Sequence, residues 1–215
     1  VGDAQLSGTV LAVGAVGAAV GVARALARLD ERSIPKVALL SSAFFAVSLW
    51  HLPLPIPGTS IHLVLLGLLG LLLGWNTFLA VGVVLLFQAL LLGHGGVTTL
   101  GVNTLAMSLP GPILAGWMRS WMSRPERRWV AAGGFLIGSG SVLLASVLIG
   151  WAYWASDPSF ISFLPAYYLA HLPLMFIEGV ITSSASLFLA RVRPDVMGRA
   201  EPLQDASPPS LPGVP

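Results

Sequence analysis

Residues 57–103 decide the fold. They read P-G-T-S-I-H-L at 57–63, then two short apolar runs, then Q-A-L-L-L-G-H-G-G-V-T-T-L-G-V-N at 88–103. The stretch is almost wholly apolar, yet Thr59, Ser60, His62, Gln88, His94 and Asn103 interrupt it where the chain enters or leaves the apolar runs. Polar groups at such places either satisfy backbone ends or bind something. Neither His62 nor His94 has a charged neighbour in sequence.

Outward from this stretch the chain stays apolar. Of its 215 residues, 55% are hydrophobic and only 9% are charged, where soluble domains run near a quarter charged. With a mean hydropathy of +0.84, the composition is that of an integral membrane protein. There is no cysteine, which excludes disulfides, thiolate clusters and cysteine redox chemistry. Any bound metal must be held by nitrogen and oxygen.

Hydropathy and turn residues divide the chain into seven helices: 9–29, 37–52, 60–73, 77–92, 102–122, 129–154 and 163–190. Three prolines between His51 and Gly58 enforce a stiff, extended path. The third helix is short against the ~20 residues that a bilayer needs. Pro110 and Pro112 predict a kink in the fifth. Residues 1–197 read as one polytopic membrane domain and 198–215 as a Pro-rich, disordered cytoplasmic tail.

All eleven Lys and Arg fall into three groups: Arg24, Arg28, Arg32 and Lys36; Arg119, Arg124, Arg127 and Arg128; Arg191, Arg193 and Arg199. Cytoplasmic loops carry the Lys/Arg excess. Seven spans with the amino terminus outside and the carboxyl terminus in the cytoplasm put all eleven on one side, which an even number of spans does not. His51, His62, His94, Asn103 and, two turns into the last helix, His171 then gather in the outer half. Imidazoles there suit Ni, Cu, Zn or Co.

Each of these residues also has a plainer reading. Thr59 or Ser60 reads as a helix N-cap with His62 at the interface, and Asn103 as an N-cap. His94 reads as a solvated loop residue and His51 as structural. His171 and Glu178 lie seven apart, on one helix face. Glu178 is the only acid well inside an expected span, where a carboxylate is costly; its depth favours a structural or coupling contact.

The chain resembles the CbiM/NikM family, the substrate-specific membrane component of energy-coupling-factor importers of cobalt and nickel. The matching stretches are R-L-D-E-R-S-I-P-K-V-A-L-L at 28–40, P-G-T-S-I-H-L at 57–63, L-L-L-G at 71–74, Q-A-L-L-L-G-H-G-G-V-T-T-L-G-V-N-T-L-A-M at 88–107, A-H-L-P-L-M-F-I-E-G-V-I-T at 170–182 and V-R-P at 192–194. The resemblance implies seven helices and capture of Co(II) or Ni(II) outside a bacterial or archaeal cytoplasmic membrane. It implies a metal held by the terminal amine, the amide and imidazole of a second-position histidine, and the imidazole of the G-T-S-x-H-L motif, here His62, with Thr59, Ser60 and Asn103 in support. Four nitrogens in a plane suit Ni(II) and hold Co(II).

The chain departs from that pattern at Val1-Gly2-Asp3, which lacks the histidine. Aligning Leu6-Ser7 with the family puts a Met-His pair just before Val1. Two readings stay open: the pair precedes Val1, or Val1 supplies the amine in a member without that imidazole. The family's G-D-G-G loop is Gly93-His94-Gly95-Gly96 here, which makes His94 a replacement ligand, and the second Asn of its N-x-x-N-M segment is Ala106.

No G-x-x-x-x-G-K-[ST] occurs, so ATP hydrolysis falls to ATPase partner subunits, joined by a coupling transmembrane subunit and a small accessory membrane subunit. Nucleic acid is not an expected partner, and the chain is not expected to be an enzyme. Two rival readings are a non-transporting metal-sensing or accessory protein of the same fold, and an intramembrane hydrolase using Ser139 with His171.

Overall fold

The computed structural model describes residues 5–49, 51–53 and 60–197, with 51–53, 60–62 and 196–197 described by backbone alone. Val1, Thr59 and the expected tail from 198 onward lie outside these residues.

The chain opens with helix α1 (Gly8–Leu26) and helix α2 (Ile34–Ser48), whose Pro35 sits in the first turn, where its missing N–H costs nothing. Two short strands follow, β1 (His51–Pro53) and β2 (Ser60–His62). They pair antiparallel, with His51 opposite His62 and Pro53 opposite Ser60. Helix α3 (Leu66–Leu73), a 3-10 turn at Gly74–Asn76 and helix α4 (Thr77–Leu92) come next. Three pieces follow, α5 (Leu100–Ser108), α6 (Pro110–Trp117) and α7 (Arg119–Met122). The long helices α8 (Arg127–Ser156) and α9 (Leu164–Val192) close the fold. Among the described residues, Gly8–Leu26, Leu66–Leu92, Arg127–Ser156 and Leu164–Val192 are long and apolar enough to cross a membrane.

Apart from one small hairpin, the described architecture is all helical, as the sequence predicts. Three expectations need correction. The third helix begins at Leu66, not Ser60, and Ser60–His62 is a strand. Part of the segment expected as a proline loop, His51–Pro53, pairs with it. The fifth helix, expected over 102–122, starts at Leu100 and ends as a regular rod at Trp117, with a break at Met118 before α7. Between α5 and α6 the backbone of Leu109 stays helical (φ −71°, ψ −43°), so that junction is the expected kink, where Pro110 has no N–H to continue the ladder.

The run Leu66–Leu92 reverses direction within itself. Gly74 takes φ +55° and ψ −131°, which ends α3 without the cost a side chain would add. Helix α3 then runs alongside α6: Gly70 lies on Gly111, and Gly74 and Trp75 line one cavity with Ala115 and Arg119. Helix α4 instead runs against α1, with Phe78 against Gly21, and alongside α2, where the Gln88 amide donates to Ser48 Oγ at 2.6 Å. The turn is tied to one end of the molecule. Lys36 Nζ donates to Leu72 O at 2.6 Å, and the Arg24 guanidinium lies 4.8 Å from the Trp75 ring centroid. Arg119 and Asp195 share the cavity beside that turn. Basic groups from two sequence regions, Arg24 with Lys36 and then Arg119, therefore meet at one end, with Asp195 of the last region beside them.

The helices meet through small residues, as expected where lipid offers no hydrophobic drive for association. A Cβ on Gly70 would fall on the Gly111 backbone, and one on Gly138 would fall on the Glu178 carbonyl. Phe44, Leu66, Leu69, Val81 and Val84 fill the core between α2, α3 and α4.

Candidate functional site

The end opposite the basic groups carries β2, where His62 lies, and the loop of His94. The start of α1 is fixed there. The Ser7 N–H donates to Ser156 Oγ at 3.0 Å, and Tyr153 donates to Gln5 Oε1 at 3.1 Å. The β1–β2 hairpin, the loop after α4 and the α8–α9 connection lie at the same end. At that connection, Asp157 caps the 3-10 turn Pro158–Ser162 by accepting from the Ser159 N–H at 2.8 Å. This bond holds its carboxyl below the usual carboxylate range.

His62 is the last residue of β2, and the register makes His51 its cross-strand partner. Directly opposed residues share one face of a ribbon. The sequence gives His51 a structural role. Its signal was present only as a second histidine eleven residues upstream, across a turn too proline-rich for its pairing to be read locally.

After His62 the chain descends through Leu63 and Val64 to Leu65, which adopts the left-handed conformation at φ 49°. The N–H groups of Val64 and Leu65 both donate to Glu178 Oε1, each at 2.7 Å. Glu178 is fully buried, and its Oε2 has no partner among the described residues. The carboxylate expected as a structural or coupling group on α9 therefore reaches the segment that carries His62.

His94 is brought to the same end but by another route. Gly93 closes α4 in the left-handed region (φ 65°), and the His94 N–H folds back to Gln88 O at 3.1 Å. This is the usual way a helix end satisfies its last carbonyls. The His94 side chain is exposed. Asn103 does not cap α5: the helix begins at Leu100, and Asn103 lies one turn in, buried, with its amide donating to Thr99 Oγ1 at 3.3 Å. Ser60 is in β2 rather than at a helix start.

His171 faces its own helix. Its Nδ1 meets Tyr167 O at 2.7 Å, and its ring lies 4.3 Å from that of Tyr167. Tyr167 in turn packs edge-on against Tyr153, the partner of Gln5. An aromatic ladder thus joins His171 to the start of the chain, a connection that no sequence spacing reveals. Ser139 donates to Phe135 O at 2.7 Å in its own helix. Neither it nor His171 is bonded to the other, so the pair does not form a nucleophile and base. Among the described residues, no three His, Asp or Glu side chains cluster as a metal site.

The family model described as "Cobalt uptake substrate-specific transmembrane region" matches residues 1–196. A putative metal transport protein of Haemophilus influenzae is 33% identical over 197 residues, covering 89% of this chain and 93% of its own. A cobalt transport protein CbiM of Sorangium cellulosum is 36% identical over 177 residues, covering 78% and 77%. A solved structure titled as a transition metal transporter superposes with a TM-score of 0.68 at 24% identity, covering 89% of this chain and 92% of that one. That last likeness shows the fold.

Proposed function

The chain belongs to the CbiM family of cobalt uptake substrate-specific transmembrane components, and on that premise we propose that it captures Co(II), and equally Ni(II), for an ATP-driven energy-coupling-factor importer. Members of this family are transporter components, not enzymes. The observation that carries the reading is the hairpin register: it sets His51 opposite His62, at the end that also holds the start of α1. Two histidines opposed in the backbone register, together with an amino-terminal nitrogen, give nitrogen donors of the kind both ions take.

The crossing number and orientation belong to this proposal. The directions of α1, α2, α3, α4, α5–α6, α8 and α9 alternate, and the non-helical residues 60–65, which begin as strand β2, complete the third pass. Seven passes with the amino terminus outside put the hairpin where an importer meets its substrate and the basic end in the cytoplasm. A coupling transmembrane subunit and ATPase subunits would act from that basic end. Thr59, Ser60 and Asn103 support the loops around the metal, His94 is a further candidate ligand, and Val1 supplies an amine if the mature chain starts there.

The test is metal binding by the full-length protein, with its native amino terminus, in detergent. Ni(II) and Co(II) should bind, and His62→Ala should abolish binding. His51→Ala should weaken it about tenfold or more, whereas wild-type affinity in His51→Ala would remove that residue from the site. Binding should weaken as pH falls, because the nitrogen donors must be unprotonated. No binding by the wild-type chain would sink the reading.

A further inference from the structure

We propose that Glu178 is a positioning residue for metal capture: it holds the segment that follows His62 at a fixed place on α9, so that the site is preformed before metal arrives. The inference rests on the metal-capture reading above.

Three observations carry it. The first is reach. Val64, two residues after His62, and Leu65 both donate their N–H groups to one oxygen of Glu178 at 2.7 Å, across 114 and 113 residues of chain. Two residues span at most ~7 Å of chain, so moving Val64 moves His62. The second is backbone geometry. Leu65 sits in the left-handed region, and α3 starts at the next residue. A non-glycine residue rarely holds that conformation and persists there only where its surroundings over-determine it. The two bonds to one oxygen of Glu178 supply that constraint. The third is the anchor itself. The Glu178 carbonyl lies against Gly138, so α8 fixes α9 at this very turn. A fully buried carboxylate away from water keeps its place only through such donors, and these are the two it has among the described residues.

Glu178 does not touch the metal in this account. Its part is to fix the trajectory by which His62 is presented, as partners of metal-bound histidines do when they set ring orientation. It also accepts from two N–H groups that lie between the hairpin and α3, where neither element's own hydrogen-bond ladder supplies an acceptor.

The experiment compares the full-length protein with Glu178→Ala, Glu178→Gln and His62→Ala in lipid nanodiscs. Ni(II) affinity is measured by calorimetry, and amide exchange in the metal-free state by mass spectrometry over residues 63–66. Glu178→Ala should lose tenfold or more in affinity and exchange faster at 63–66. Glu178→Gln keeps an acceptor oxygen and should stay within about threefold of wild type, with slow exchange. Wild-type affinity in Glu178→Ala overturns the proposal, as does an equal loss in both variants without faster exchange. If Glu178→Ala does not fold, Glu178→Asp replaces it: one methylene shorter, it should lose binding where Glu178→Gln keeps it. If the wild-type chain itself binds no metal, metal capture fails. The exchange comparison then still decides whether Glu178 orders the segment, and unchanged exchange would overturn the proposal.

Discussion

Gln88 and Ser48 show how one buried pair divides its cost. The Gln88 amide donates to Ser48 Oγ, and Ser48 itself donates to Phe45 O at 2.8 Å. Gln88→Leu removes the amide and leaves Ser48 with its own acceptor. Ser48→Ala leaves the buried amide aimed at nothing. Interhelical hydrogen bonds in membranes average about 0.6 kcal/mol, whereas an orphaned buried group costs about 1–3 kcal/mol. Ser48→Ala should therefore destabilise the protein more than Gln88→Leu, as reversible denaturation in mixed micelles would show. An equal loss would mean that water reaches the pair. At this scale the sequence is a partial guide. Gln88, Asn103 and Glu178 stand out as polar residues in apolar runs, but the partners of Gln88 and Glu178 lie 40 and more than 110 residues away, and nothing local names them.

At the scale of elements, the contact between α3 and α6 is backbone on backbone. A Cβ on Gly70 has no room, since Gly111 cannot give way, whereas a Cβ on Gly82 would meet Thr104 Cγ2 at 3.5 Å, an ordinary contact. Gly70→Ala should cost about 1–3 kcal/mol and Gly82→Ala no more than about 0.5 kcal/mol. Thermal unfolding of the two variants in the same detergent checks the contrast, and equal midpoints would refute it. The long helices were legible because apolar runs and punctuation set them. The start of α3 was not. Residues 60–64 include Ile61 and Val64, which suit an extended chain as well as a helix, and it is the pairing of β2 with β1 and the reach of Glu178 that decide between them. Pro110 announced the kink between α5 and α6, where Leu109 stays helical, but nothing announced the break at Met118 that sets α7 apart.

At the scale of the whole molecule, charge was the most readable property. Arg24, Lys36 and Arg119 meet around the Gly74–Asn76 turn, at one end of the molecule. The chain has no cysteine, so single cysteines report cleanly. Ser159→Cys, in the exposed turn after α8, and Ser123→Cys, at the basic end, should react with a membrane-impermeant maleimide from opposite faces of intact cells. Only Ser159→Cys should label without permeabilisation, and the reverse pattern would invert the orientation proposed here.

The bend at Gly74 also bears on biogenesis. A translocation channel meets the nascent chain in order and responds to length and apolarity, and by those measures Leu66–Leu92 is a single 27-residue crossing. Alone, α3 is eight residues, about 12 Å of helix against a hydrocarbon layer of ~30 Å, and it would not stay in lipid unaided. The groups that secure the bend, Arg24 on Trp75 and Lys36 on Leu72, have already been synthesised when the run emerges. The Gly111 surface that later covers Gly70 has not. Insertion therefore has a direction: the first two helices receive the bent run and hold it, and α6 arrives afterwards as the wedge that makes the bend permanent.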